Sequence, residues 1–140
     1  MFKTMIVLAG LIQLGIAVTS LAIPRLLGWP EQLARVEKLT RRIFWTYGGY
    51  VLGAHIWFAA VSIVWAGELL SGTPLAALVT GLIATWWGMR VVGQFTWYDR
   101  TVAGTRRLFR VAEVLYVTAF VFVAAVFLAA TLHNVTGAVR

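Results

Sequence analysis

The sequence predicts an all-α integral membrane protein of four transmembrane helices in an antiparallel bundle. Hydrophobic residues make up 61% of the 140 and charged residues 12%, with a mean hydropathy of +0.85; soluble domains carry about 25% charged residues. Four runs hold the roughly 20 mostly apolar residues that cross about 30 Å of hydrocarbon. None of these runs alternates apolar and polar residues as a barrel strand does, so helices must satisfy the backbone in lipid.

The first span is expected over residues 5–27, interrupted near its end by Pro24, with Gln13, Thr19 and Ser20 as its interior polar side chains. Lys3 ahead of an apolar run and small residues at Ser20 and Ala22 also resemble a signal peptide. The run is longer than a usual signal core, which favours a span. After Trp29-Pro30, residues Leu33, Val36 and Leu39 recur at helical spacing, and Glu31/Arg35 and Glu37/Arg41 form favourable i,i+4 pairs. A short amphipathic helix is therefore expected over residues 30–40, lying on the inner leaflet with its cations toward anionic headgroups. A solvated helical linker is the plainer alternative.

The second span is expected over residues 43–66, with Trp45, Tyr47 and Tyr50 at the membrane interface, the usual position of an aromatic belt. The third, residues 74–98, opens on Pro74, whose missing N–H costs nothing in a first turn. The fourth covers residues 108–133. These spans leave room for one domain, residues 1–140, and no separate soluble module.

Topology follows from the basic residues. Arg25, Arg35, Lys38, Arg41 and Arg42 lie in one connection and Arg100, Arg106, Arg107 and Arg110 in another, whereas residues 67–73 hold only Glu68. The positive-inside rule places both basic loops in the cytoplasm and both termini outside, in what is expected to be a bacterial inner membrane. This placement also accounts for the net charge of +7, so the lipid bilayer, and no nucleic acid, is the expected partner. With no cysteine and two histidines, thiol chemistry is excluded and a metal centre is not expected. No Ser-His-Asp set, HExxH motif or phosphate-cradling loop occurs, and whether the chain is an enzyme stays open.

The third span carries the polar cluster of interest. Trp86, Arg90, Gln94 and Tyr98 recur every four residues and share a helix face. Arg90 lies roughly 13 Å inside the cytoplasmic helix end, where it needs a partner or water. Glu113, the only acidic residue inside a span, enters on the next, antiparallel helix and is the expected partner. Pairing of Glu113 with Arg110 in its own helix is the alternative. Arg90, Gln94 and Glu113, walled by Trp86, Trp87 and Tyr116, could clamp the head of an amphiphile such as a quinone or lipid. A buried ion pair can equally serve only to fix helix register.

Four further residues read as helix packing. Gly49 and Gly53 form one GxxxG, and Gln13, beside Gly10 and Ala17, suits an interhelical hydrogen bond. His55 shares a face with Gly48, Leu52 and Ala59 near mid-membrane. It reads more readily as a hydrogen-bonding residue than as a haem ligand, because His133 lies about half a membrane away. Two functions are carried forward: binding of a hydrophobic small molecule, or a non-catalytic accessory subunit of a larger membrane complex or homo-oligomer. A transport path has less support, since no pair of broken helices occurs. No cofactor can be named. Asn134-Val135-Thr136 matches the glycosylation sequon on the outer side.

Overall fold

The computed structural model describes residues 1–97 and 107–137, and within them every regular element is a helix. The order is α1 (Phe2–Ser20), α2 (Ile23–Leu26), α3 (Trp29–Ala34), α4 (Lys38–Val64), α5 (Pro74–Thr96) and α6 (Arg107–Gly137), with a 3₁₀ turn at Glu68–Leu70. Four helices are long and apolar enough to cross a membrane: α1, α4, α5 and α6, the last counted from Arg110. Tyr98, Asp99, Arg100 and Arg106, which the sequence places at the end of the third span and in the second basic loop, lie outside the described residues.

Local chemistry sets most boundaries. At the end of α1 the Thr19 and Ser20 hydroxyls donate back to the carbonyls of Gly15 and Ala17, at 2.8 and 2.7 Å, and Pro24 sits in the first turn of α2. Gly28 turns the chain into α3 at φ 63°, a left-handed conformation that glycine adopts without steric cost. Pro74 opens α5 behind Thr73, whose hydroxyl oxygen accepts from the Ala76 N–H at 3.2 Å.

The amphipathic helix expected over residues 30–40 is not continuous. α3 ends at Ala34, Glu37 is extended at ψ 141°, and Lys38 already belongs to α4. The aromatic contacts supply the reason. Trp29 packs edge-on against Phe44 at 5.1 Å and near Trp45 at 6.4 Å. A straight helix would hold residues 29 and 44 about 22 Å apart. Gathering three rings requires the chain to reverse, and the reversal falls at residues 35–37. Leu39, read as part of the apolar stripe, is 61% exposed.

α1 packs along α4, α5 along α6, and α1 also touches α6. Each inward stripe advances in steps of three and four: Ile6, Ala9, Gln13 and Ile16 on α1, and Phe120, Val123, Phe127, Ala130 and Asn134 on α6. Close approach of α1 to α4 depends on Gly10, where a Cβ would stand 2.8 Å from both Ile63 Cγ1 and Ser62 Cβ. The rings of Phe2 and His133 meet at 5.7 Å, so the start of α1 and the end of α6 share one end of the molecule, the terminal end. Thr19 and Tyr116 meet toward the other, the basic end.

Asn134 organises the terminal end. Its amide donates to the Leu69 carbonyl at 2.8 Å and toward Thr80 Oγ1 at 3.4 Å, and its Oδ1 accepts from the Gly72 N–H at 3.0 Å. Thr131 Oγ1 donates to Thr80 Oγ1 at 3.1 Å. Asn134 is fully buried, so the sequon is a structural cap rather than an accessible acceptor. We expect Asn134→Ala to lower unfolding stability by about 1–3 kcal/mol, since it strands the Gly72 and Leu69 backbone groups. Titrated unfolding in mixed micelles checks this, and an unchanged midpoint would contradict the capping role.

Candidate functional site

The described core is continuous from the terminal end to Trp87 and thins beyond it. Trp87 is fully buried, and its indole N–H donates to Gln13 Oε1 at 3.0 Å. The Gln13 amide in turn donates to Ser62 Oγ and to the Ala9 carbonyl, both at 3.3 Å. Ser62 donates its own hydroxyl hydrogen bond to the Phe58 carbonyl. Side chains of α1, α4 and α5 are thus tied by one buried chain of hydrogen bonds, in surroundings where leaving any member unpaired is costly.

An aromatic shelf sits on the basic side of this chain. His55 stacks on Trp87, with ring centroids 4.8 Å apart and planes 20° from parallel, and meets the edge of Trp86 at 6.0 Å. Phe58 meets Trp86 at 5.6 Å. From α6, Phe120 lies 5.4 Å from Trp87, and Tyr116 lies 5.8 Å from Phe120. Tyr116 donates its hydroxyl to Thr19 Oγ1 at 2.6 Å. Arg90 lays its guanidinium over the Phe120 ring, 5.4 Å from the centroid, a cation–π placement that gains strength away from water.

Trp86, Trp87, Arg90 and Tyr116 are therefore gathered around two residues to which the sequence analysis gave other roles or none, His55 and Phe120. Gln94 and Glu113 stand farther toward the basic end, both half-buried. Each is seven residues from the Trp87/Phe120 level, about 10 Å along its helix, so the two are level with each other. Arg90 falls between. Among the described residues no three of His, Cys, Asp and Glu converge as a metal site would need. His133 packs on Phe2 at the terminal end, far from His55.

His55 meets its neighbouring helix by ring stacking. Its Nδ1 has no hydrogen-bond partner among the described residues, although the side chain is only 7% exposed. An orphaned polar atom of this kind costs about 1–3 kcal/mol, a cost that calls for an explanation at a site rather than in a core. Gly48, Leu52, His55, Ala59 and Ser62 share one stripe of α4; Ala59 and Ser62 are buried, Leu52 is half-buried, and a Cβ at Gly48 would meet no described atom within 4 Å. The same face thus packs tightly at Ser62 and lies bare at Gly48, two turns (about 10 Å) from His55 toward the basic end.

Gly49 and Gly53 also have no described atom within 4 Å of a Cβ position, so no described residue uses the close approach they permit. Residues 42–51 of α4 are all exposed. Tyr47 and Tyr50 meet edge to face, with ring centroids 6.3 Å apart. Sequence reasoning missed Ser62, Phe58 and Phe120. Their signal was periodic: Ser62 lies seven residues beyond His55, and Phe120 four beyond Tyr116.

Comparison with protein-family models, with curated proteins and with solved structures finds no match to this chain.

Proposed function

We propose that the chain is a multi-pass inner-membrane protein, an antiparallel four-helix bundle with both termini outside, that binds an amphiphile by its head in the cytoplasmic half of the bundle. The observation that carries this reading is the orphaned Nδ1 of His55, with the bare α4 face at Gly48 two turns, about 10 Å, toward the basic end. His55 is set among the rings of Trp86 and Trp87, with Phe120 and Tyr116 continuing the aromatic wall. Aromatic walls with a few polar groups suit a hydrophobic ligand that needs orienting. Arg90 marks the level at which a polar head would be held, and an ion pair with Glu113 would neutralise it between ligands.

Extraction of the protein in mild detergent, followed by organic extraction and mass spectrometry of whatever copurifies, tests the reading. We expect a stoichiometric hydrophobic molecule, and retention falling about tenfold in Arg90→Ala, equivalent to losing one charge-assisted hydrogen bond. Equal retention by a folded Arg90→Ala protein would rule the site out.

A second reading, an accessory subunit of a larger membrane complex, is favoured by the bare α4 face carrying Gly49 and Gly53, since small residues allow a partner helix to approach closely. Native mass spectrometry after gentle solubilisation separates the two, because a solitary monomer with bound small molecule supports the first alone.

A further inference from the structure

Resting on the placement of the four long helices in a membrane, and not on the His55 site, we propose that residues 21–45 form a seat for anionic phospholipid headgroups in the leaflet at the basic end. Level, burial and charge each point to it.

Level comes from the helices themselves. α1, from Phe2 to Ser20, is about 27 Å long, and Trp45 lies about 29 Å along α4 from its far end at Val64. Both lengths match a hydrocarbon layer about 30 Å thick. Ser20 and the cluster of Trp29, Phe44 and Trp45 therefore stand at the boundary of that layer, where such rings collect. Arg42 and Arg41 come three and four residues before Trp45, about 5–6 Å farther out and inside a headgroup layer about 5–8 Å deep.

Burial shows that the protein does not cover this segment by itself. Neither α2 nor α3 buries a residue. Leu26 is 72% exposed, and Leu27 and Leu39 are exposed with it. The segment meets α4 through the ring of Trp29, and its partners Phe44 and Trp45 are themselves exposed. Apolar side chains set at the edge of the hydrocarbon are covered by lipid, as on other interfacial helices.

Charge selects the lipid. Five cations, Arg25, Arg35, Lys38, Arg41 and Arg42, outweigh Glu31 and Glu37 and leave three net positive charges. All five but Arg41 are exposed. By returning Trp29 to Phe44 and Trp45, the break at residues 35–37 holds the start of α3 beside the first turns of α4, so the cations flanking both helices meet one headgroup layer. A headgroup whose phosphate has no compensating amine is attracted to such a cluster.

The test places the full chain in nanodiscs of phosphatidylcholine with phosphatidylglycerol as the minor lipid, and counts the lipids retained on the protein by native mass spectrometry. We expect phosphatidylglycerol to be enriched over its share of the bilayer. The enrichment should fall about fivefold for each cation removed in Lys38→Gln/Arg42→Gln, the equivalent of about 1 kcal/mol per charge, and should be unmoved by added inorganic phosphate. Because the chain has no cysteine, a spin label on Leu26→Cys reports the level of α2, and one on Leu11→Cys, exposed at the centre of α1, reports insertion. Oxygen should relax both labels more than a water-soluble nickel chelate does. Equal retention of the two lipids, or enrichment unchanged in the folded double variant, overturns the seat. Displacement of phosphatidylglycerol by inorganic phosphate assigns the cations to free phosphate and overturns it as well. Nickel reaching Leu26 but not Leu11 sinks this proposal and leaves the membrane placement standing, whereas nickel reaching both overturns the two together.

Discussion

Trp87→Ala is expected to be among the most damaging single substitutions in this chain, lowering stability by about 3–5 kcal/mol. The indole is fully buried, stacks on His55 and packs on Phe120 from another helix. Its N–H donates to Gln13 at 3.0 Å. Truncation leaves a cavity where α1, α4, α5 and α6 converge, and strands the Gln13 carbonyl oxygen in a dry interior. Trp87→Phe separates the two contributions, because it keeps a ring in the stack and removes only the donor; a loss of about 1–3 kcal/mol is expected. Unfolding titrations in mixed micelles measure both. Equal losses for Ala and Phe would show that the hydrogen bond, and not the packing, carries the effect.

Gly10 gives the second large effect, and its sign is the point. Replacing a helical glycine by alanine ordinarily gains about 0.5–1 kcal/mol, because glycine is the more flexible residue in the unfolded chain. At Gly10 the added Cβ would stand 2.8 Å from Ile63 Cγ1 and Ser62 Cβ and 3.2 Å from the Ala59 carbonyl oxygen. The last of these is backbone and cannot rotate aside. Ser62 is also fixed, since it donates to Phe58 and accepts from Gln13. α1 must therefore shift off α4, and we expect Gly10→Ala to lose about 1–3 kcal/mol as an overpacked contact, and Gly10→Leu more. Gly49→Ala is the control: with no described atom within 4 Å, it should be neutral or gain a few tenths to about 1 kcal/mol. A melting temperature raised by Gly10→Ala would refute the close α1–α4 packing.

The two glycine positions illustrate a broader division. In sequence, Gly49 and Gly53 carry the recognised spacing for close helix approach, and Gly10 has no such partner. Spacing reports only that approach is permitted; which glycine is used depends on the facing helix. Likewise the i,i+4 register of Trp86, Arg90 and Gln94 was legible, but the deepest ring is Trp87, one residue round the helix. An α-helix turns about 100° per residue, so one step exchanges a rim position for a core position when the neighbouring helix is unknown.

By itself the sequence determined that the regular structure of the described residues is helical and that four segments are long and apolar enough to cross a membrane, although α1 stops at Ser20 rather than reaching residue 27 and α4 starts at Lys38 rather than residue 43. Composition, hydropathy and the prolines at 24 and 74 are local quantities, and helix formation in apolar segments is decided locally, since each backbone group bonds within its own segment. Tertiary structure decided the rest. The break at residues 35–37 follows from Trp29 finding Phe44 and Trp45, and the burial of Asn134 from meeting Leu69 and Gly72. The stacking of His55 follows from Trp87 being held in place by Gln13. Each is a contact between residues far apart along the chain, and such contacts are fixed by which helix faces which, a choice that no window of sequence contains.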